Sequence, residues 1–291
     1  MLVIQKVFRY DLFMGLIDYQ IKKITGRLIK IDPIKIIQSD LKNYNKLGVD
    51  FNEGIEVLKE IFGIDFLNSV ISFKKGKLST KSYQFILFAS ISKKYNIKKI
   101  LEIGTYDGEN SYVLSKIFNE AIIDTVDLPD KEIIKGSFGD TINSIGLKKH
   151  IQIRNKNLSA KNINFIESNS FFLPSIDNQK FKKDYNLVFI DGNHLFPEVS
   201  WDTFFGYHQL KKNGNSFLIM DDFLNLSKHK IYGKGRIENN EKVSIVDVYK
   251  MCEKLKLITG KDYVTILKTH PDKNKKYVYP KKLKSLAIFK F

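Results

Sequence analysis

The chain has 291 residues, 43% of them hydrophobic and 27% charged, which suits one large folded domain with a smaller appendage. Its net charge of +16 invites a nucleic-acid partner, yet of 48 basic residues only Arg9, Arg27, Arg154 and Arg236 are arginine, the side chain suited to bidentate phosphate and guanine contacts. A solvated lysine surface is therefore the favoured reading, and nucleic acid is not the expected partner.

No apolar run is long enough to predict a membrane span. Lys6, Arg9, Asp11 and Asp18 interrupt the N-terminal apolar stretch and no small-residue cleavage site follows, so a signal peptide is not expected. Cys252 is the single cysteine; in VYKMCEKLKL it reads as a buried structural thiol. Together these predict a cytoplasmic protein.

Residues 1 to about 78 read as a helical N-terminal extension without a chemical motif. Val3, Val7, Tyr10 and Met14, then Ile55, Leu58, Ile61 and Phe62, recur at helical spacing, with Asn52 as candidate N-cap of the second run. The first helix carries basic residues beside its apolar stripe. Packing on the main domain or on a second subunit is favoured, with a homo-oligomer expected; lying on an anionic membrane surface is the alternative.

From residue 79 to the C-terminus strand and helix alternate. Ser79 or Thr80 is a candidate cap for a helix running to about Lys94. KKILEI (98–103), IIDTVD (122–127), INFIES (163–168), NLVFID (186–191) and SFLIMD (216–221) read as strands, the first followed by a helix from about Glu109 to Phe118. This alternation predicts an α/β fold with parallel strands and helices on both faces. YVTILKT (263–269) and SLAIFKF (285–291) lack an intervening helix and are expected to pair antiparallel.

The first strand ends in Glu102-Ile103-Gly104-Thr105-Tyr106-Asp107-Gly108, a turn leading into a helix. Its glycines permit unusual backbone conformations and let a ligand approach the main chain, and the helix N-terminus favours a carboxylate. The spacing is not that of the dinucleotide fingerprint G-x-G-x-x-G. Asp127 closes the next strand 23 residues after Gly104, where a carboxylate can accept hydrogen bonds from two ribose hydroxyls.

ILEIGTYDG, TVDLP, NLVFIDGNH and LKKNGNSFLIMDDF resemble, in order, the motifs of class I S-adenosylmethionine-dependent methyltransferases, over roughly residues 98 to 291. The D-G-x-H motif and the acidic pair are similar to those of sugar and small-molecule O-methyltransferases of the macrocin and mycinamicin type, some of which need magnesium. The resemblance implies a Rossmann-like sheet, mostly parallel and closed by a C-terminal antiparallel hairpin. It implies a cofactor site of Glu102, Gly104, Thr105, Gly108, Asp127, Asn169 and Asp191. Asn169 stands in Ser168-Asn169-Ser170, where the family commonly has G-D-S, and its side-chain oxygen would meet the adenine amino group.

Asp191 and His194 sit at the end of the fourth strand, and Asp221 and Asp222 at the end of the fifth, the edge where open α/β sheets hold ligands. Three carboxylates on adjacent loops can supply oxygen ligands to a hard divalent cation such as Mg²⁺. His194 could then take a hydroxyl proton. The resemblance implies the same roles: Asp191, Asp221 and Asp222 as metal ligands, His194 as general base.

Asp202, in EVSWDTFFGYHQL, is expected to cap the following helix or to orient the D-G-x-H loop, with Trp201 packing. Residues 224–241 read as a lid over the substrate, with Lys234 and Arg236 either holding an anionic group or solvated. The function these readings predict is S-adenosylmethionine-dependent methylation of a hydroxyl on a sugar, glycan or other small molecule, with Mg²⁺ assistance. The alternatives are an RNA methyltransferase, although no N/D-P-P-Y/F motif follows the fourth strand, and a non-catalytic α/β assembly protein.

Overall fold

A computed structural model describes residues 29–30, 33–71, 83–133, 146–176, 184–223, 240–268, 277–278 and 285–291. The expected first helix around Val3–Met14, the candidate caps Ser79 and Thr80, and the lid up to residue 239 lie outside these residues.

Seven strands form one sheet: β1 Lys99–Ile103, β2 Ile122–Asp127, β3 Ile163–Glu167, β4 Leu187–Ile190, β5 Phe217–Phe223, β6 Tyr263–Leu267 and β7 Ser285–Lys290. Their order is β3-β2-β1-β4-β5-β7-β6. β1 to β5 pair in parallel, and β7 runs antiparallel to both β5 and β6. The expected antiparallel pairing at the C-terminus is present, and β7 inserts between its hairpin partner and β5. A separate two-residue ribbon pairs Ile29–Lys30 with Tyr277–Val278.

The strands are apolar on both faces because both faces are covered. Successive residues alternate between two cores. Ile100, Phe189, Phe217, Ile219, Leu286 and Ile288 face one, while Leu101, Val188, Leu218, Met220, Ala287 and Phe289 face the other. Burying each such aliphatic or aromatic side chain contributes about 1.5–3 kcal/mol.

The first core is roofed by α1 Pro33–Leu47, α2 Phe51–Ile71, α3 Gln84–Lys94 and α4 Glu109–Ile117. Tyr44, Leu47, Leu58, Leu67 and Val70 belong to it, so the described part of the N-terminal region shares the core of the sheet. α2 is capped by Asp50 rather than by Asn52, because the Asp50 carboxylate accepts from the N–H groups of Asn52 (2.6 Å) and Glu53 (3.0 Å). Asn52 already lies inside the helix.

The second core is covered by α7 Glu198–Gln209 and α8 Asn240–Thr259, with Val199, Phe205, Val248, Met251 and Leu255 contributing. Cys252 is fully buried there, its thiol pushed up by burial, and its Sγ contacts Met220 Sδ at 3.5 Å. The short α5 Asp130–Ile133 and α6 Leu147–Asn157 link β2 to β3. Among the described residues no helix is long and apolar enough to cross a membrane.

This order puts the switch point between β1 and β4. From β1 the chain winds outward to β2 and β3, then returns to β4 on the other side. In open α/β sheets the crevice above such a point is where ligands bind.

Candidate active site

The turn after β1 folds back against the end of β4. Gly104 holds φ at 101°, and a Cβ placed there would stand 2.2 Å from the backbone oxygen of Asp191. No side chain fits between these two strand ends, which is a physical reason for glycine at this position. Tyr106 (φ 50°) and Gly108 (φ 75°) are also left-handed, and Gly108 leads directly into α4.

Glu102, with no exposed surface, lies beneath this turn. Its carboxylate accepts from Asn110 Nδ2 (2.6 Å), Thr125 Oγ1 (2.6 Å) and the Ser111 hydroxyl. Burial raises its pKa, against the opposing effect of these hydrogen bonds. Glu102 therefore ties β1 to β2 and α4 and shapes the turn from below. Thr105 is also buried, with its hydroxyl 2.6 Å from that of Thr125.

Asp127 reaches over the turn from β2. Its Oδ2 accepts from the backbone N–H groups of Thr105 (3.0 Å) and Tyr106 (2.6 Å), and its Oδ1 from that of Leu128 (2.8 Å). Burial raises its pKa, while these three bonds and the charge of Arg154 pull the other way. A carboxylate offers about four acceptor positions, so three are taken and one remains. A pair of ribose hydroxyls would have to share with the turn. Arg154 on α6 is 2% exposed and sits 2.7 Å from the Asp130 carboxylate.

Asn169 caps the short 3-10 helix Ser170–Ser175, its Oδ1 accepting from Phe171 N at 3.0 Å. A second lone pair on that oxygen is left for a ligand donor. Asp107 likewise takes Glu109 N at 3.0 Å at the start of α4. Trp201 joins α7 to this region: its Nε1 donates to Ser170 O at 2.8 Å and its ring stacks on Phe171.

α7 begins at Glu198, so Asp202 does not cap it. Asp202 lies 2% exposed beside the loop, its Oδ2 at 3.0 Å from where a Cβ on Gly192 would be. Burial pushes its carboxyl up to about 6, against a hydrogen bond from Ser170.

Asp191, His194, Asp221 and Asp222 come together as the strand ends predict. His194 Nε2 is 3.5 Å from Asp191 Oδ1 and its Nδ1 is 4.0 Å from Asp222 Oδ2. Burial on its own would lower the imidazole pKa. The neighbouring Asp191, with the charges of Asp222 and Asp221, outweighs it, so the net movement is upward. Asp221 is 1% exposed and its Oδ1 receives no hydrogen bond. Burial, then the neighbouring Asp191 charge, push it up to about 6. Asp222 sits in a β-bulge at φ 53°, a strained conformation for this residue.

One residue of this cluster was not visible from the sequence. Lys268 follows β6 directly, and its Nζ lies 2.5 Å from Asp221 Oδ2 and 3.5 Å from Asp222 Oδ1. Burial would lower its pKa, but the charges of Asp221, Asp191 and Asp222 raise it further. Its backbone oxygen accepts from Tyr83 N at 2.7 Å, fixing the strand end against α3.

Lys268 bears on the expected metal set of Asp191, Asp221 and Asp222. One ligand atom each from Asp191, His194 and Asp221 lie within 4.8 Å of one another. Asp222 is not part of that group, since its two oxygens face His194 and Lys268. A divalent ion held by the three aspartates would have to displace the Lys268 ammonium, which already engages one oxygen of Asp221 and one of Asp222.

No family model and no curated protein matches the chain. Among solved structures it is similar to cofactor-bound Rv0187 from MTB, with 15% identity, a TM-score of 0.50, and 81% of this chain and 94% of that chain covered. An O-methyltransferase from Bacillus cereus in complex with SAH aligns at 13% identity and a TM-score of 0.49, covering 87% and 96%. The O-methyltransferase TomG from Streptomyces achromogenes, in complex with SAM, aligns at 15% and 0.47, covering 88% and 98%. At these identities the likeness is one of fold. The fold is the Rossmann-like α/β sheet of methyltransferases, mostly parallel with antiparallel strands at its C-terminal end.

Proposed function

We propose that the chain is an S-adenosylmethionine-dependent O-methyltransferase acting on a hydroxyl of a sugar, glycan or other small polyol-like acceptor. The observation that carries this is a left-handed glycine turn, gripped by Asp127, facing the Asp191–His194 loop across the switch point of the sheet. One half of that switch point offers the acceptor groups of Asp127 and Asn169, and the other half holds a base among carboxylates.

The residues present suit the cofactor. Gly104 lets the turn close against the Asp191 backbone, Asp127 has one acceptor position left for a ribose hydroxyl, and Asn169 keeps a lone pair for an adenine amino group. When bound, S-adenosylmethionine supplies an electrophilic methyl group. Asp191 and Asp222 flank His194, one beside each ring nitrogen. His194 takes the acceptor hydroxyl proton at the nitrogen that the hydroxyl reaches, and the raised pKa lets it keep that proton near neutrality. The two partners need alignment more than chemical activation.

The test is methyl transfer by the purified full-length protein from radiolabelled S-adenosylmethionine to a panel of sugars, glycans and nucleotide-sugars. Label in a hydroxyl-bearing acceptor that disappears with His194→Ala supports the reading. Transfer to RNA and not to any small acceptor would replace it with the nucleic-acid alternative.

A further inference from the structure

We infer that Lys268 is the resident cation of this acidic site and takes the place of a divalent metal. The inference rests on the same site as the proposed methyl transfer but not on that chemistry.

The topology brings the lysine there. β7 is antiparallel to β5 and β6, so those two run parallel and end at the same edge of the sheet. β7 starts at Ser285, level with both Phe223 and Leu267. Lys268, one residue past β6, reaches across to the acidic pair in the bulge of β5. Its backbone is pinned by Tyr83 N. The bulge at Asp222 turns that side chain from the regular strand direction, and one oxygen of each member of the pair faces the same ammonium.

Three aspartates converge at two adjacent strand ends, one of them 1% exposed, and the Lys268 ammonium lies against two of them as a compensating charge. A covalently attached ammonium supplies that charge without coordination chemistry. It also leaves Asp191 Oδ1 and Asp222 Oδ2 against the two ring nitrogens of His194.

The experiment titrates Mn²⁺ alone into the full-length protein by calorimetry, comparing wild type, Lys268→Arg and Lys268→Met. Wild type and Lys268→Arg are expected to bind no stoichiometric Mn²⁺. Lys268→Met is expected to bind one equivalent at least tenfold more tightly, and to lose it when Asp221→Asn is added. Wild-type protein that binds one equivalent through Asp221 overturns the inference, as does a folded Lys268→Met that binds none. If Lys268→Met does not fold, wild type and Lys268→Arg decide: one bound Mn²⁺ overturns, none supports. Methyl transfer is not the readout, so a chain that transfers no methyl group leaves this result standing.

Discussion

The backbone oxygen of Asp191 occupies the place where a side chain on Gly104 would begin, 2.2 Å from the position of a Cβ. This close approach packs the turn after β1 against the loop after β4, so the Gly104 turn and the Asp191–His194 loop form one unit. Gly104→Ala is expected to force the two loops apart and to strain a backbone held at φ 101°, at a cost of at least 1–3 kcal/mol. Thermal melts should show lower stability, and binding of S-adenosylhomocysteine should be lost. A variant that melts and binds like wild type would contradict the proposed packing.

The Asp127 carboxylate holds three backbone N–H groups, and under the proposed function it would also hold the ribose. Asp127→Ala should therefore weaken cofactor binding by roughly 1.5–3 kcal/mol, about ten- to a hundredfold, and also lower the melting temperature of the ligand-free protein. Reduced stability with unchanged cofactor affinity would confine Asp127 to the turn and remove it from the ligand site.

His194 is expected to act as the base, so His194→Ala should lower kcat by about 10²–10⁴-fold with little change in cofactor affinity. Its pKa is raised above 6.5 despite burial, by the neighbouring aspartates. The neutral, proton-accepting form therefore prevails only above that raised value, and activity should climb with pH through a limb lying above 6.5. Asp222→Asn removes one of the raising charges and should move this limb to lower pH. A limb that stays where it is in Asp222→Asn counts against His194 as the titrating group.

Asp202 gives a stability prediction with a definite sign. Its carboxyl rises from 3.8 to about 6 on folding, with burial as the main cause. The native state thus binds the proton more tightly than the unfolded chain. Stability is fully present below about pH 4 and is lost as pH rises through about 6, by on the order of 2–3 kcal/mol. Asp202→Asn, which keeps the shape and cannot ionise, should raise the melting temperature at pH 7.5 by a few degrees and leave it unchanged at pH 4. An equal effect at both pH values would rule out the ionisation of Asp202 as the cause.

Much of this architecture was legible in the chain. The strand runs are short, apolar and bounded by polar turns, so β2 falls where IIDTVD predicts and the others within a few residues. Asp191, His194, Asp221 and Asp222 could be grouped because each closes a strand, and parallel strands bring their ends to one edge. The cap of α2 was misplaced by two residues because Asp50 and Asn52 are both good cap formers, and the choice depends on where the first turn winds. Glu102 looked like a ligand contact and proves to be sealed beneath the turn, since its distance from the surface is set by α4 and β2 packing above it. Lys268 carried no local signal in a chain where all but four of 48 basic residues are lysine. Its meeting with Asp221 depends on β7 inserting between β5 and β6, a long-range event that strand patterns do not encode.

The central claim is tested most directly by calorimetric titration of S-adenosylhomocysteine into the purified full-length protein, with Gly104→Ala as control. The account predicts one saturable site per chain in the wild type and none in the variant. A wild-type protein that takes up no S-adenosylhomocysteine at millimolar concentration, while folded and melting cooperatively, would contradict it.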